Sequence, residues 1–250
     1  MTPELQQAAE PEPRGMGEAS RIAGIFFEPG KTFDDIARRP TWVVPMVLLI
    51  AAVLLLMALF AQHVGWERMI RHQYETNPRL MQMPADQRER AMQMQIRFSG
   101  VGGYAGVLLG IPIVDLVWAA VLLGIVKGMM GAPVRYKQVF SVVAWAAMPG
   151  VISTILTIVV MFLRNPDDFN LQNPLVFNPG AMMDPLTSSK FVYALASSLD
   201  LFTIWCLVLI GVGLKAAGGR TISTAGAMTA VFLPWLIWTL GKASIAGMFG

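Results

Sequence analysis

Five long apolar runs, each as long as a membrane-crossing helix, constrain this chain more than any other feature of its sequence. They cover residues 42–62, 103–127, 138–163, 191–214 and 222–246. A helix of about 20 apolar residues crosses a hydrocarbon core of about 30 Å, and lipid cannot hydrogen-bond the backbone, so each run must be helical. The sequence therefore predicts an all-α integral membrane protein with five transmembrane helices.

The composition agrees with this fold class. Hydrophobic residues make up 55% of the 250 residues and charged residues only 14%, a balance that a soluble domain with a hydrated surface does not show. The 19 Lys and Arg residues are dispersed among the loops rather than gathered in a stripe, which argues against nucleic acid as a partner. The predicted partners are the lipid bilayer and either a membrane protein or a second copy of the chain.

Two segments differ from the spans in composition. Residues 1–20 are rich in Glu, Gln, Pro and Gly and are predicted to be a disordered tail, followed by a membrane domain over 21–250. Between spans one and two, residues 63–100 are predicted to form a helical hairpin on the membrane surface. In this outer segment Glu67 and Arg71 are one turn apart and should form an ion pair.

Residues 25–40 have the pattern of a short amphipathic helix. Thr32 followed by Asp35 is predicted to form its N-cap box, and Phe33, Ile36 and Ala37 lie on one helical face. The helix either lies in the membrane interface or leads as an ordinary capped helix into span one.

The distribution of positive charge predicts the orientation of the chain. Cations flank the ends of the spans on the side of the N-terminus, which predicts a cytoplasmic N-terminus. They are Lys31, Arg38, Arg39, Lys127, Arg135, Lys137, Lys215 and Arg220. The six Arg of residues 63–100 point the other way, but four acidic residues accompany them. No N-glycosylation sequon follows the asparagines of the loops, which favours a bacterial inner membrane.

The sequence contains no catalytic or metal-binding pattern. His63 and His72 are nine residues apart, and the single cysteine, Cys206, lies inside span four, so neither a zinc motif nor an internal disulfide is predicted. Nucleophile-elbow and phosphate-loop motifs are absent too. The chain is predicted not to be an enzyme and to need no cofactor or metal.

Two carboxylates interrupt the apolar runs, Asp115 in span two and Asp200 in span four. A carboxylate near the bilayer centre costs at least about 2.5–3.5 kcal/mol, so it must be paired, protonated or in contact with water. Tyr193 and Ser197 share a helical face with Asp200, and the four residues are predicted to form an intramembrane polar site. This site either binds a proton or cation or joins helices through a neutral aspartic acid.

A second pattern in span two consists of glycines. They return to one helical face, opposite Asp115, and such a face is typical of close packing against another helix. They are Gly102, Gly106, Gly110, Gly124 and Gly128.

The two aspartates are also landmarks of a candidate internal repeat. Each is followed by Leu and lies 34 residues before a proline, Pro149 or Pro234, so that a shift of 85 residues superposes them. This predicts a parallel repeat of spans two and three on spans four and five, related by an axis near the membrane normal, with a proline kink in each unit.

Three stretches of sequence carry a resemblance to a known family. They are Phe26–Ile36 with Arg39–Trp42, Tyr136–Phe140 with Trp145–Pro149, and Leu199–Trp205. Through them the chain resembles, over about residues 24–246, the YIP (Ypt/Rab-interacting protein) domain family and in particular its bacterial branch. The resemblance implies five helices, a cytoplasmic N-terminus and no catalytic residues. Eukaryotic relatives are associated with vesicle transport and small GTPases, a role that does not carry over to a bacterial member.

The function predicted from these features is that of a non-enzymatic membrane protein that organises the membrane or binds partner proteins. The alternative is a small transporter or channel that uses Asp115 and Asp200. A solvated cavity joining the two aspartates would favour transport, and a dry packed contact would favour the scaffold.

Overall fold

The computed structural model describes residues 15–166, 169, 171, 173–184 and 187–249. In these ranges the chain is helical, without a β-strand, and five helical segments are long and apolar enough to cross a membrane. The five-span fold is thus confirmed. The α-helices are α1 (Glu18–Phe27), α2 (Pro29–Arg38), α3 (Val43–His63), α4 (Trp66–Thr76), α5 (Pro78–Met81), α6 (Ala85–Leu123), α7 (Tyr136–Ala146), α8 (Met148–Leu163), α9 (Lys190–Ser198), α10 (Leu201–Gly218) and α11 (Thr224–Phe249).

The membrane-length segments have bounds that follow from these helices. They are Val43–His63, Ala85–Met129, Tyr136–Leu163, Leu201–Gly218 and Thr224–Met248. The second ends in a π-helical turn after α6, and the third consists of α7 and α8. The fourth differs from the continuous helix predicted over 191–214, because the chain is extended at Asp200, with ψ of 139°, and separates α9 from α10.

The two ends of the bundle carry different elements. We call the end that carries α1 and α2 the N-terminal face. The opposite end, which carries α4, α5 and the segment between α8 and α9, we call the loop face. Residues 219–223, between α10 and α11, lie at the N-terminal face.

The main hydrophobic core lies toward the N-terminal face and is centred on α7. Every residue from Val139 to Ala146 is buried, and Trp145 is fully buried. Phe33 of α2, Leu122 of α6 and Leu214 of α10 join the same cluster. A helix that is buried on all sides is the centre of a bundle, so α7 is the element around which the other spans are placed.

The outer segment 63–100 is helical, and its second half is continuous with span two. Ile70 and Tyr74 of α4 pack on Met92 of α6, and α6 runs from Ala85 without interruption into span two. Its first 18 residues are about 27 Å long and precede the predicted span. The packing of α4 on α6 forms a helical hairpin, and its place on the membrane surface stays a prediction. The predicted ion pair is present, with Arg71 Nη2 2.7 Å from Glu67 Oε1.

The last residues of the predicted tail, 1–20, belong to α1. Residues 1–14 lie outside the described ranges, whereas Glu18 to Ser20 form the first turn of α1. A carboxylate is stabilised at the N-terminus of a helix, and Glu18 lies 3.6 Å from Arg21 one turn later. The backbone N–H of Met16 already donates to Asp35 at 3.2 Å.

Candidate functional site

Asp200 begins α10 instead of lying inside a continuous helix. Its Oδ1 accepts hydrogen bonds from the backbone N–H groups of Phe202, at 2.9 Å, and Thr203, at 3.1 Å. This is an N-cap, in which the side chain satisfies amides that have no partner in the helix. The prediction of a mid-helix carboxylate is therefore wrong for Asp200, because the break in span four turns its carboxylate toward the first amides of α10.

A cavity of about 200 Å³ lies beside this break. Asp200 and Ser197 both line it, whereas Tyr193, one turn before Ser197, does not. The other lining residues are Ser153 of α8 and Asn173, Pro174, Leu175 and Asn178 of the segment between α8 and α9. Two of the four predicted site residues thus share one cavity, and the two asparagines were not predicted as members of it.

The segment from the loop face is held on the break by direct contacts. The backbone N–H of Leu201 donates to the carbonyl of Phe177 at 3.1 Å, and the rings of Phe177 and Phe202 meet edge to face at 5.7 Å. Asn178 caps a short 3₁₀ turn by accepting from Ala181 N–H at 3.0 Å. In the sequence these asparagines appear only as Asn-Pro pairs, which indicate a loop but not where it docks.

Asp115 lies inside α6, half-buried, and outside this cavity. Within the described part of the chain it has no hydrogen-bond or ion-pair partner. Cys206 of α10 lies near both Asp115 and Asp200. The two aspartates therefore approach the same part of the bundle, but the cavity includes only Asp200.

The glycine face of span two has no close neighbour among the described residues. A Cβ atom placed on any of the five predicted glycines would meet no heavy atom within 4 Å, because α6 packs on α3, α4 and α7 through its other side. The predicted packing seam thus does not form between helices of one chain, and a contact with another chain stays a prediction. The five are Gly102, Gly106, Gly110, Gly124 and Gly128.

The two landmark prolines have different local structures. Pro149 lies in the first turn of α8, just after the break that separates α7 from α8 at Ala147, whereas Pro234 lies inside the uninterrupted α11. Asp115 and Asp200 differ in the same way, one inside a helix and one at its start. The parallel repeat stays a prediction, and the local structure at its landmarks does not support it.

A buried ion pair between α1 and α2 is a polar arrangement that the sequence analysis did not single out. Arg21 Nε and Nη2 donate to Asp35 Oδ2 at 2.8 and 2.7 Å, and the two residues are 2% and 8% exposed. The other guanidinium donors reach Thr41 Oγ1 at 2.6 Å and the Arg39 carbonyl at 3.1 Å. Partners on every side are what a buried charge requires. We call α1 and α2, joined in this way, the N-terminal pair.

The predicted N-cap box of Thr32 and Asp35 is wrong. Glu28 occupies the cap position of α2 with Pro29 in the first turn, and the Thr32 hydroxyl donates to the Glu28 carbonyl at 3.0 Å. Asp35 therefore lies on the buried face of α2. A carboxylate directly before Ile36 on an apolar face is the signal that could have pointed to a buried partner such as Arg21.

The N-terminal pair is docked on the spans by contacts from all three stretches that carried the family resemblance. Phe26 meets the Trp205 ring edge to face at 5.7 Å. Gln138 Nε2 donates to the Ala37 carbonyl at 2.8 Å, and Trp145 Nε1 to the Thr41 carbonyl at 2.9 Å; these contacts are 101 and 104 residues apart in sequence.

Gly213 makes the closest approach between the N-terminal pair and α10 possible. A Cβ atom there would lie 2.8 Å from Phe33 Cδ1 and would also overlap Val142. The pair is thus fitted against the spans at a position where no larger side chain can be placed without a shift.

Five membrane-length helices with a helical pair packed across one end define a multi-pass membrane protein. The model of the Yip1 domain family matches residues 23–245, from the N-terminal pair to the last span. The chain belongs to this family, as the resemblance in its sequence implied.

A comparison with characterised proteins finds a bacterial relative. The membrane protein YknW of Bacillus subtilis is 21% identical over 216 residues, which cover 86% of this chain and 86% of the relative. No solved structure matches the chain. Among the described residues, no group of three or more His, Cys, Asp or Glu side chains could hold a metal ion.

Proposed function

We propose that this Yip1-domain protein is a non-enzymatic membrane-organising protein that binds another membrane protein through its N-terminal pair. The observation that carries the proposal is the buried Arg21–Asp35 ion pair, which fixes α1 against α2. A buried ion pair adds little to net stability, and its best use is to select one arrangement among several. Here it selects the arrangement of a surface element that the five spans do not need in order to cross the membrane.

The face of α2 turned away from the spans is the binding surface in this proposal. Lys31, Asp34 and Arg38 are exposed at spacings of three and four residues, so they form one stripe. A groove of about 290 Å³ lies between this stripe and α10, lined by Gly30, Asp34, Val212, Lys215, Ala216 and Gly219. Mixed charge along a groove beside a span fits a polar segment close to the membrane, which favours a membrane protein as the partner.

The residues at the end of α1 support a position of this helix in the membrane interface. Phe27 is 84% exposed at the end of α1, directly before Glu28, whose carboxylate lies 2.9 Å from Lys31 Nζ. An exposed aromatic ring beside charged groups is typical of a helix that lies at the boundary between lipid headgroups and hydrocarbon.

A cytoplasmic N-terminus in a bacterial inner membrane completes the proposal. The cations predicted to be cytoplasmic all belong to the N-terminal face, which follows the rule that cytoplasmic loops are rich in Lys and Arg. The similarity to a Bacillus membrane protein supports a bacterial cell membrane.

Photo-crosslinking in living cells tests the partner surface. A benzophenone amino acid is placed at Lys31, Asp34 or Arg38 in turn, with Val117, a lipid-exposed residue of span two, as the control position. We expect the three α2 positions to crosslink to the same protein and the control position not to do so. Mass spectrometry and a second, differently tagged copy distinguish another membrane protein from the chain itself. A partner captured equally from Val117, or from none of the α2 positions, contradicts the proposal.

Transport is the second candidate, and Asp115 is the observation that favours it. A half-buried carboxylate in a span, without a partner among the described residues, is by default a functional group. In this alternative Asp115 and Asp200 would pass a proton or cation through the region around Cys206.

A flux measurement separates the two candidates. The full-length protein is reconstituted in liposomes that contain a pH-sensitive dye, and proton flux is compared with that of the Asp115→Asn variant. The scaffold predicts no flux above that of empty liposomes for either protein. A flux that the substitution reduces by about tenfold, equivalent to about 1.4 kcal/mol in the barrier, would favour the transporter.

A further inference from the structure

The cavity beside Asp200 joins three parts of the chain that are distant in sequence. Ser153 comes from α8, Asn173 and Asn178 come from the segment between α8 and α9, and Ser197 and Asp200 come from the two sides of the break in span four. Asp200 lies about 22 Å along α10 from Lys215 at the N-terminal face. The cavity is therefore near the loop face of the bundle, on the side opposite to the N-terminal pair.

The charge of the cavity comes from Asp200, the ionisable residue of its lining. Oδ1 holds the two amides at the start of α10. No hydrogen bond to Oδ2 is assigned within the described ranges. Since one oxygen suffices for the cap, the other is available to a ligand, and the site attracts positive charge.

Neutral oxygen atoms complete the lining. Ser197 Oγ is shielded from solvent and has no hydrogen-bond partner in the described part of the chain, which is costly for a buried hydroxyl. It lies against Gly180, where a Cβ atom would overlap it. Ser153 also lines the cavity, together with Asn173 and Asn178, whose side-chain amides hydrogen-bond each other. A carboxylate with one free oxygen and an unsatisfied hydroxyl, both on residues that line one cavity, suit a ligand that donates several hydrogen bonds.

The size of the cavity and its single carboxylate limit the classes of cation that it can bind. A space of about 200 Å³ is much larger than the roughly 10–15 Å³ that one water molecule needs on the same measure, and is too roomy to enclose a bare alkali-metal ion tightly. Divalent cations prefer several carboxylates. A primary ammonium group carries one positive charge and three N–H donors, and a short carbon chain attached to it fills the remaining space.

We infer that this cavity binds a primary ammonium group, with Asp200 Oδ2 as its counter-ion and Ser197 Oγ as a hydrogen-bond acceptor. Such a group occurs on small soluble amines and on the ethanolamine headgroup of phospholipids. When bound, it connects the segment between α8 and α9 to the start of α10. The inference concerns the loop face and does not depend on the partner surface at the N-terminal face.

The first experiment measures binding of ethanolamine to the full-length protein in phosphatidylcholine nanodiscs by calorimetry. We expect ethanolamine to bind at least about tenfold more tightly than choline, because choline has the same charge but no N–H donor. Potassium chloride at equal concentration should not compete. Equal binding of choline, or competition by potassium, would overturn the inference in favour of general cation attraction or an inorganic-ion site.

Two substitutions test the assigned residues. Asp200→Asn keeps the N-cap, for which Asn and Asp are equivalent, but removes the charge and should weaken ethanolamine binding at least about tenfold. Ser197→Ala leaves the cap untouched and should weaken it about fivefold. Glu89→Gln, on the exposed part of α6, is the control and should bind normally. Unchanged binding in the Asp200→Asn variant, with melting temperature preserved, would refute the site.

A third measurement distinguishes the two sources of the ammonium group. Nanodiscs that contain phosphatidylethanolamine and phosphatidylcholine in equal amounts are analysed by native mass spectrometry. Selective retention of phosphatidylethanolamine, lost in the Asp200→Asn variant, identifies the lipid headgroup as the ligand. Binding of free ethanolamine without selective retention identifies a soluble amine, and absence of both results refutes the inference.

Discussion

Arg21 and Asp35 differ from the other charged pairs described in this chain in their burial. The side chains of Lys31 and Glu28 are 75% and 56% exposed, and those of Arg71 and Glu67 are 45% and 63% exposed, whereas the Arg21 side chain is 3% exposed. Water screens the exposed pairs, so each contributes little. In the buried pair each partner compensates a charge that water cannot reach, so neither can be removed alone.

Substitution of the arginine should therefore lower the free energy of unfolding much more at position 21 than at position 71. Arg21→Met leaves Asp35 buried without its partner and should lower the free energy of unfolding by about 3–5 kcal/mol. Arg71→Met breaks an exposed pair and should lower it by about 1 kcal/mol or less. Denaturant titration in detergent measures both changes. Equal losses of stability in the two variants would show that the protein in detergent lacks the buried Arg21–Asp35 contact.

Substitution of glycine by alanine should have opposite effects on stability at positions 213 and 106. Gly213→Ala forces Phe33 and Val142 apart and should destabilise the protein by about 1–3 kcal/mol through overpacking. Gly106→Ala, on the open face of α6, meets no neighbour and should be neutral or slightly stabilising, because alanine favours a helix. Thermal unfolding of the protein in detergent compares them. A large loss for Gly106→Ala would indicate that another chain covers that face.

At the scale of the elements, the break in span four moves Asp200 from the interior of a helix to the start of one. A continuous helix over 191–214 would place Asp200 in its interior. Instead α9 packs along α11 and α10 starts afresh, so that the loop-face segment can reach the backbone at Leu201. Broken spans of this kind leave polar backbone groups, which persist at membrane depth only where protein or water surrounds them.

The cap at Asp200 should account for a measurable part of the stability of α10. Asp200→Ala removes the acceptor for Phe202 and Thr203 and should lower the free energy of unfolding by about 1 kcal/mol, whereas Asp200→Asn should be close to neutral. Denaturant titration of the two variants side by side checks this. If both substitutions had the same effect, the charge rather than the cap would be the stabilising feature.

At the scale of the whole molecule, the N-terminal pair and the loop face lie at opposite ends of the bundle, because one span separates the pair from α4 and three spans separate it from the segment between α8 and α9. Each side has its own polar assembly, the Arg21–Asp35 pair on one and the Asp200 cavity on the other. The apolar surface between them faces lipid, including most of span two, of which only 17% is buried in its most apolar window.

Cysteine accessibility tests the predicted orientation of this arrangement. In a background in which Cys206 is replaced by alanine, Ser20→Cys should be shielded from impermeant thiol reagents in intact cells. Met182→Cys, at a position that is 90% exposed on the loop face, should be labelled. Permeabilised cells provide the control, because both positions should then react. Labelling of residue 20 and protection of residue 182 would place the N-terminus outside.

The sequence by itself determined the features that depend on local composition. The number of spans and their helical state follow from the length of each apolar run, because lipid leaves the backbone no other way to satisfy its hydrogen bonds. The Glu67–Arg71 pair follows from spacing on one helix. The single cysteine argued against an internal disulfide, and the dispersed Lys and Arg argued against nucleic-acid binding. Both inferences need only the composition of the chain.

Only the tertiary structure decided what the polar residues contact. Asp200 became a cap because the chain breaks at Leu199, and Asp35 found Arg21 because α2 folds back on α1. The glycines of span two face outward because α7 and α3 occupy the other side of α6, while Gly213 carries the close contact instead. These outcomes depend on contacts such as the hydrogen bond from Trp145 to Thr41, which are 104 residues apart. The hydrophobic periodicity of a segment does not indicate which distant residue it will contact, so such contacts cannot be predicted from it.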